Sequence, residues 1–286
     1  MLPKDYSLYL PESITTGVVF SSPHSGRDYP AEMLMASGLS PRQLRSSEDA
    51  FVDELFLPAL RHGAPLLAAS APRAFVDLNR GANELDPALI EDVNTQGLNP
   101  RVSSGLGVIP RVVSEGRVIR QGKISRAEAE ARLQRYYHPY HAQLRELVDT
   151  SCNAFGQVLL IDCHSMPRDA LANTRRVFGK MPEIILGDRF GSSCDPVIVD
   201  QVEAIFTLAG FRTARNTPFA GAFIAQNYGR PSSNQHVLQI EIDRSLYMDE
   251  AQVSKRADFH EIQARLIGVI SSICNLGRWP LQVAAE

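Results

Sequence analysis

Residues 157–167 read QVLLIDCHSMP, and the way this stretch divides sets the fold. Gln157 to Asp162 has the length of a strand and is almost wholly apolar, without the alternation of a half-exposed strand. A strand apolar on both faces belongs in a sheet covered by helices on each side, the usual setting of parallel strands. The polar residues that follow, His164 above all, then fall at its carboxyl end, where open α/β sheets bind their ligands.

Working outward, similar short runs occur at Gly17 to Ser22, Pro65 to Ala69, Ala74 to Leu78, Glu183 to Leu186 and His236 to Ile242. Between them lie helical patterns. Ser125 and Glu128 have capping-box spacing ahead of a helix reaching roughly to Val148. Asp49 to Leu60 carries Val52, Leu55, Phe56 and Leu60 on one helical face, Pro196 to Ala209 stops at Gly210, and Asp258 to Leu276 is amphipathic. This alternation predicts an α/β class: a single domain over residues 1–286, with a central mixed, largely parallel sheet flanked by helices. Arg80 to Lys123 and Arg212 to Ser233 are broken by turn residues and are expected to form irregular excursions or a small hairpin at the rim of a pocket.

With 44% hydrophobic and 21% charged residues, the chain is expected to fold throughout. A net charge of −3 argues against nucleic acid and anionic membranes as partners. Met1 to Leu10, with Lys4 and Asp5, lacks the apolar core of a signal peptide, and no run reaches transmembrane length. Cys152, Cys163, Cys194 and Cys274 show no CxxC spacing, which predicts reduced thiols and a cytoplasmic location. Cys163, inside the apolar run, reads as a packed small hydrophobe rather than a nucleophile.

Two histidines follow apolar strands: His24 in PHSG and His164 in DCHS. Either could simply bond a loop backbone, but together they could face one metal ion. Catalytic zinc takes three protein ligands and keeps a fourth position for water, so a carboxylate is wanted. Asp49 and Glu48, in SSEDAFVDEL, are the nearest candidates; either could instead cap a helix. In HVLQIEIDR, period-two counting puts Leu238, Ile240 and Ile242 on one face and Gln239, Glu241 and Asp243 on the other. A carboxylate in so apolar a strand is either a salt-bridge partner or a functional base. Arg73, Arg80 and Arg230 stand beside turn residues and suit an anionic substrate, because guanidinium matches carboxylate geometry. Arg27, Arg42 and Arg61 read as solvated charges, and His62 and His260 as surface residues. His138 and His141 in YYHPYH, with Pro139 between them and tyrosines around, read as structural or supporting residues. Ser25 and Ser165 lack a GxSxG elbow.

Taken in order, PHSGRDYP (23–30), EDAFVDEL (48–55), VDLNR (76–80), YYHPYHAQL (136–144), LLIDCHSMP (159–167), GAFIAQNYGRP (221–231) and LQIEIDRSLYM (238–248) resemble the N-formylglutamate amidohydrolase family over nearly the whole chain. The resemblance implies a fold similar to zinc carboxypeptidases and acylamino-acid deacylases, and one Zn2+ per chain. It implies His24 and His164 as zinc ligands, Glu241 as general base, Asn79 with Arg80 as the clamp on the substrate carboxylate, and Arg73 at the oxyanion. The peptidase pattern HxxE would place a carboxylate where Arg27 stands, so the third ligand falls to Asp49, with Glu48 in reserve. Arg230 is assigned to substrate on its chemistry alone. The implied reaction is hydrolysis of a small anionic N-acyl amino acid, N-formyl-L-glutamate to formate and L-glutamate. The alternatives are a deacylase or carboxypeptidase acting on another N-acyl amino acid, and a catalytically silent binding protein.

Overall fold

The computed structural model describes residues 5–94 and 99–278. Met1–Lys4, part of the leader reading, and residues 95–98, part of the first irregular region, lie outside them. Seven strands form one sheet: β1 (Tyr6–Tyr9), β2 (Val18–Ser22), β3 (Leu66–Ala69), β4 (Val158–Met166), β5 (Ile184–Gly187), β6 (Thr213–Arg215) and β7 (Gln235–Asp243). Their order is β1-β3-β2-β4-β7-β5-β6. The inner strands β3, β2, β4 and β7 are mutually parallel, while β1 and β5 each run antiparallel to their inner neighbour. The expected mixed, largely parallel α/β sheet is therefore present.

Alternate residues of the inner strands enter two cores. Val18, Phe20, Leu159, Ile161, Leu238, Ile240 and Ile242 pack on one face against helices Val52–Phe56, Pro196–Leu208 and Phe259–Leu276. Val19, Leu160 and Val237 pack on the other against Tyr140, Leu144 and Leu147 of helix His138–Phe155. Each fully buried Leu or Ile contributes roughly 1.5–3 kcal/mol, so the two-sided apolar pattern sets which strands lie inside. No helix among the described residues is long and apolar enough to cross a membrane.

Some elements differ from the expectation. Ala74 to Leu78 is not a strand but a buried loop: Phe75 and Val76 N–H both donate to Pro72 C=O, and Asp77 N–H donates to Val108. Its apolar run packs Phe75 and Leu78 into the second core, and an apolar run alone does not distinguish a strand from a packed loop. The helix expected from Asp49 begins only at Val52, because Phe51 takes a left-handed φ of 67°, and it tightens to a 3-10 helix at Leu57–His62. Ser125 caps Arg126–Arg132 as expected, its side chain accepting from Glu128 N–H at 3.1 Å. A π-helical turn, Leu133–Tyr137, then precedes Pro139 and gives room for a residue that has no N–H to donate. The short edge strands β1 and β6 escape the sequence reading, having too few apolar residues to register.

Candidate active site

The parallel register of β4 and β7 sets His164 beside Glu241 and Asp162 beside Gln239. Neighbouring strands lie about 4.8 Å apart, so these side chains stand next to one another on one face. That face is apolar at Leu160 and Val237 and becomes polar two residues further along each strand. The loop after β2 adds His24, whose ring centroid lies 4.7 Å from that of His164. Asp49 is tied to the same place by its main chain, its N–H donating to His24 C=O at 3.0 Å. Gly26 allows this loop to pass close to its neighbour, since a Cβ there would lie 2.0 Å from Ala71 O.

His24, Asp49 and His164 are all buried and offer ligand atoms that lie within 4.8 Å of one another. Asp49 Oδ2 is 2.9 Å from His164 Nδ1 and 3.4 Å from His24 Nδ1. The far nitrogens are engaged: His24 Nε2 with Asp77 Oδ1 at 2.7 Å, and His164 Nε2 with Asp162 Oδ2 at 3.0 Å. A carboxylate on Nε2 keeps a proton there and turns Nδ1 inward, which is how metal-binding histidines are oriented; burial would lower the His164 imidazole, but Asp162 and Asp49 hold it well above its usual range. His24 Nδ1 is a buried polar atom without a hydrogen-bond partner among the described residues. Burial alone would raise the Asp49 carboxyl, but the two histidines hold it well below the usual range, so it is anionic. His24, Asp49 and His164 offer two imidazoles and a carboxylate, a donor set that suits a divalent cation.

Glu48 faces away from this point: Tyr29 donates to it at 2.6 Å and Arg45 forks onto it. Asp49 supplies the inward carboxylate instead, with its other oxygen 2.9 Å from Arg244 Nη2. Its side chain caps no helix, since Phe51 is the capping position and has no side-chain bond.

Glu241 makes no ion pair among the described residues; Gln239 Nε2 donates to it at 2.9 Å. Burial is the main reason its carboxyl is pushed up to about 7, opposed by His164 and reinforced by Asp49. Arg73 reaches the cluster through Asp77, Nη2 to Oδ2 at 2.9 Å. Arg80 is only 8% exposed, yet among the described residues its guanidinium donates to main-chain oxygens alone, of Leu106 at 3.0 Å and Asn79 at 2.8 Å. Asn79 is buried, with Oδ1 accepting from Ile224 N–H at 2.7 Å and Nδ2 donating to Asp162 at 3.1 Å. Behind this loop, Tyr137 O–H donates to Arg80 C=O at 2.8 Å and His141 Nε2 to Leu78 C=O at 2.9 Å. The YYHPYH segment is thus the strut for the Asn79–Arg80 turn. His24, Asp49, Arg73, Asn79, Arg80, His164 and Glu241 all line one cavity of about 730 Å³.

Arg230 is not among them. It is exposed, donates to Asn227 C=O and pairs with Gln235, the first residue of β7, about six residues from Glu241 along the strand. Ligands gather at the carboxyl ends of parallel strands, and Arg230 precedes its strand; its position in the chain already carried that signal. Asp77, Asp162 and Arg244 went unread as site residues. Arg244 directly follows β7, so the rule that singled out His24 would have found it. Cys163 is fully buried in the first core, with its thiol pushed far up by burial, as expected of a packed residue.

A cleft at the carboxyl ends of parallel strands, with a buried glutamate free of ion pairs among the described residues beside a His–Asp–His set that could hold a metal ion, marks an α/β protein built like a hydrolase. The sequence model of the N-formylglutamate amidohydrolase family matches residues 16–248. The chain is 31% identical over 268 residues to an N-formylglutamate deformylase of Pseudomonas aeruginosa, covering 91% of this chain and 94% of that one. It superposes on the crystal structure of an N-formylglutamate amidohydrolase from Ralstonia eutropha JMP134 with a TM-score of 0.90 at 35% identity, covering 96% and 99% of the two chains. A gene product of Agrobacterium tumefaciens shares the fold alone, with a TM-score of 0.65 at 18% identity over 95% and 96% of the chains. The chain belongs to the N-formylglutamate amidohydrolase family.

Proposed function

We propose that this chain hydrolyses the formyl amide bond of N-formyl-L-glutamate, yielding formate and L-glutamate, with one Zn2+ held by His24, Asp49 and His164. The observation that carries the reading is the register of β4 and β7, which sets an ion-pair-free Glu241 beside His164 and the inward-facing Nδ1 of His24. Two imidazoles and one carboxylate are a donor set typical of catalytic zinc. When bound, the ion would supply Lewis acidity to a water molecule and to the formyl carbonyl.

Glu241 takes one proton from the attacking water and returns it to the leaving amine nitrogen as the C–N bond breaks. A buried carboxyl pushed up to about 7 suits both halves of that exchange, since it accepts and releases a proton near neutrality. Gln239 fixes one Glu241 oxygen and leaves the other for the proton transfer. Arg73, oriented by Asp77, stabilises the negative charge that develops on the formyl oxygen. Arg80, buried without a carboxylate partner, takes the α-carboxylate of the substrate, and its fork selects for that planar group. Asn79 holds the Arg80 turn against Asp162 and Ile224.

The deciding experiment is Glu241→Gln, which keeps shape and removes the base. Zinc content should stay near one per chain while formate release from N-formyl-L-glutamate falls by about 10²-fold or more. Undiminished turnover would remove Glu241 from the reaction, and a wild-type protein that releases no formate would end the whole reading.

A further inference from the structure

Of the guanidiniums lining the cleft, two are neutralised within it: Arg73 by Asp77 and Arg244 by Asp49. Arg80 is one that is not, and Arg189 is another. Arg80 comes from the loop that follows β3, whereas Arg189 follows β5, on the far side of β7 from β4. The nearest acid in the chain, Asp188, is engaged elsewhere, its Oδ1 accepting from Asn216 Nδ2 at 2.6 Å. Among the described residues Arg189 itself donates to a main-chain oxygen and to no carboxylate, Nη1 to Gly221 O at 3.2 Å.

The turn that presents Arg189 is tightly held. Arg189 N–H donates to Ala220 C=O at 2.7 Å, and Asn216 Oδ1 accepts from Asp188 N–H at 3.1 Å. Gly187 lies so close to the facing loop that a Cβ would stand 2.7 Å from the Ala220 carbonyl carbon. Gly221, at a φ of +108°, leaves the space under the Arg189 stem, where an added Cβ would meet Arg189 Cγ at 3.1 Å. Arg189 and Phe190 take left-handed φ values of 52° and 56°. Two consecutive side-chain-bearing residues in that region cost on the order of 1 kcal/mol each, and such strain persists where the surrounding structure imposes it. Here the strained turn sets a cation, without an ion pair among the described residues, into the cleft wall beyond β7.

We infer that Arg189 binds the side-chain carboxylate of the substrate and is the residue that selects acidic over neutral N-acyl amino acids. The inference rests on the proposed function, in which Arg80 already holds the α-carboxylate, so that the second carboxylate falls to another cleft guanidinium without an ion pair among the described residues; Arg101, which also lines the cleft, is exposed, whereas Arg189 is half-buried. A neutral side chain would leave Arg189 in the cleft facing only carbonyl dipoles, which disfavours the wrong substrate as well as favouring the right one.

The test compares kcat/KM of wild type, Arg189→Ala, Arg189→Gln and Arg189→Lys on N-formyl-L-glutamate and on its two monoamides, N-formyl-L-glutamine and N-formyl-L-isoglutamine. Wild type should prefer N-formyl-L-glutamate over the side-chain amide. In Arg189→Ala and Arg189→Gln that preference should shrink by about 10²-fold, mostly through KM, with Arg189→Lys recovering part of it. Equal losses on N-formyl-L-glutamate and N-formyl-L-glutamine would overturn the assignment, as would lost discrimination against the α-amide instead. Failure of the underlying reading is visible separately, as absence of formate release by wild type from all three compounds.

Discussion

At the scale of single residues, the site is a set of charges whose partners decide their use. Asp77 is the clearest case: one oxygen orients His24 and the other holds Arg73, so the proposed metal ligand and the proposed oxyanion group share one support. Arg80 differs from Arg73 because its hydrogen-bond partners are backbone carbonyls and it makes no ion pair among the described residues. For that reason Arg80→Ala should raise KM for N-formyl-L-glutamate by about 10-fold or more and leave zinc content unchanged, since a charge-assisted hydrogen bond contributes roughly 1.5–3 kcal/mol. An unaltered KM, measured in steady-state assays, would show that Arg80 serves only the Leu106 and Asn79 carbonyls.

At the scale of elements, the helix His138–Phe155 does more than cover the sheet. Its first turn buttresses the loop that was expected to be a strand, with His141 donating to Leu78 C=O and Tyr228 O–H close to Nδ1 at 3.0 Å. Burial pushes the His141 imidazole down to about 4, so it is neutral in the folded state. The unfolded chain, with its histidine near 6.5, then binds the extra proton first. The stability that His141 contributes is complete above about 6.5 and is lost as pH falls toward 4, by at most about 3 kcal/mol. Urea midpoints between pH 7 and pH 4 should follow this slope, and His141→Gln should flatten it. A variant with the same slope as wild type would place the acid sensitivity elsewhere.

At the scale of the whole molecule, the parallel inner strands bring residues from positions 24, 49, 77, 162, 164 and 241 to one end of the sheet, and the carboxylates among them repel one another. A cation bound there stabilises the native state by mass action, because the unfolded chain has no such site. Free zinc at about 1,000 times its Kd would add about 4 kcal/mol. Chelation should therefore lower Tm by several degrees and abolish formate release, and stoichiometric zinc should restore both. A Tm indifferent to chelator and zinc would contradict a metal at the cluster.

The α/β class, the inner strands and their two-sided burial were legible in the chain, because apolar periodicity is a local record of which faces meet other layers. His24, His164 and Glu241 were legible for a related reason: each is a polar group at or just past the end of an apolar run, where burial demands a partner. Which of Asp49 and Glu48 faces the histidines was decided by the fold, since adjacent carboxylates in one turn differ only in which way the backbone aims them, and the Asp49 N–H bonded to His24 C=O fixes that aim. Tertiary structure alone turned Ala74–Leu78 from a strand into a packed loop and set Asp77 against His24 and Asp162 against His164. Those residues act through neighbours distant in the chain, and no pattern read along one segment records which distant segment will supply the counter-charge.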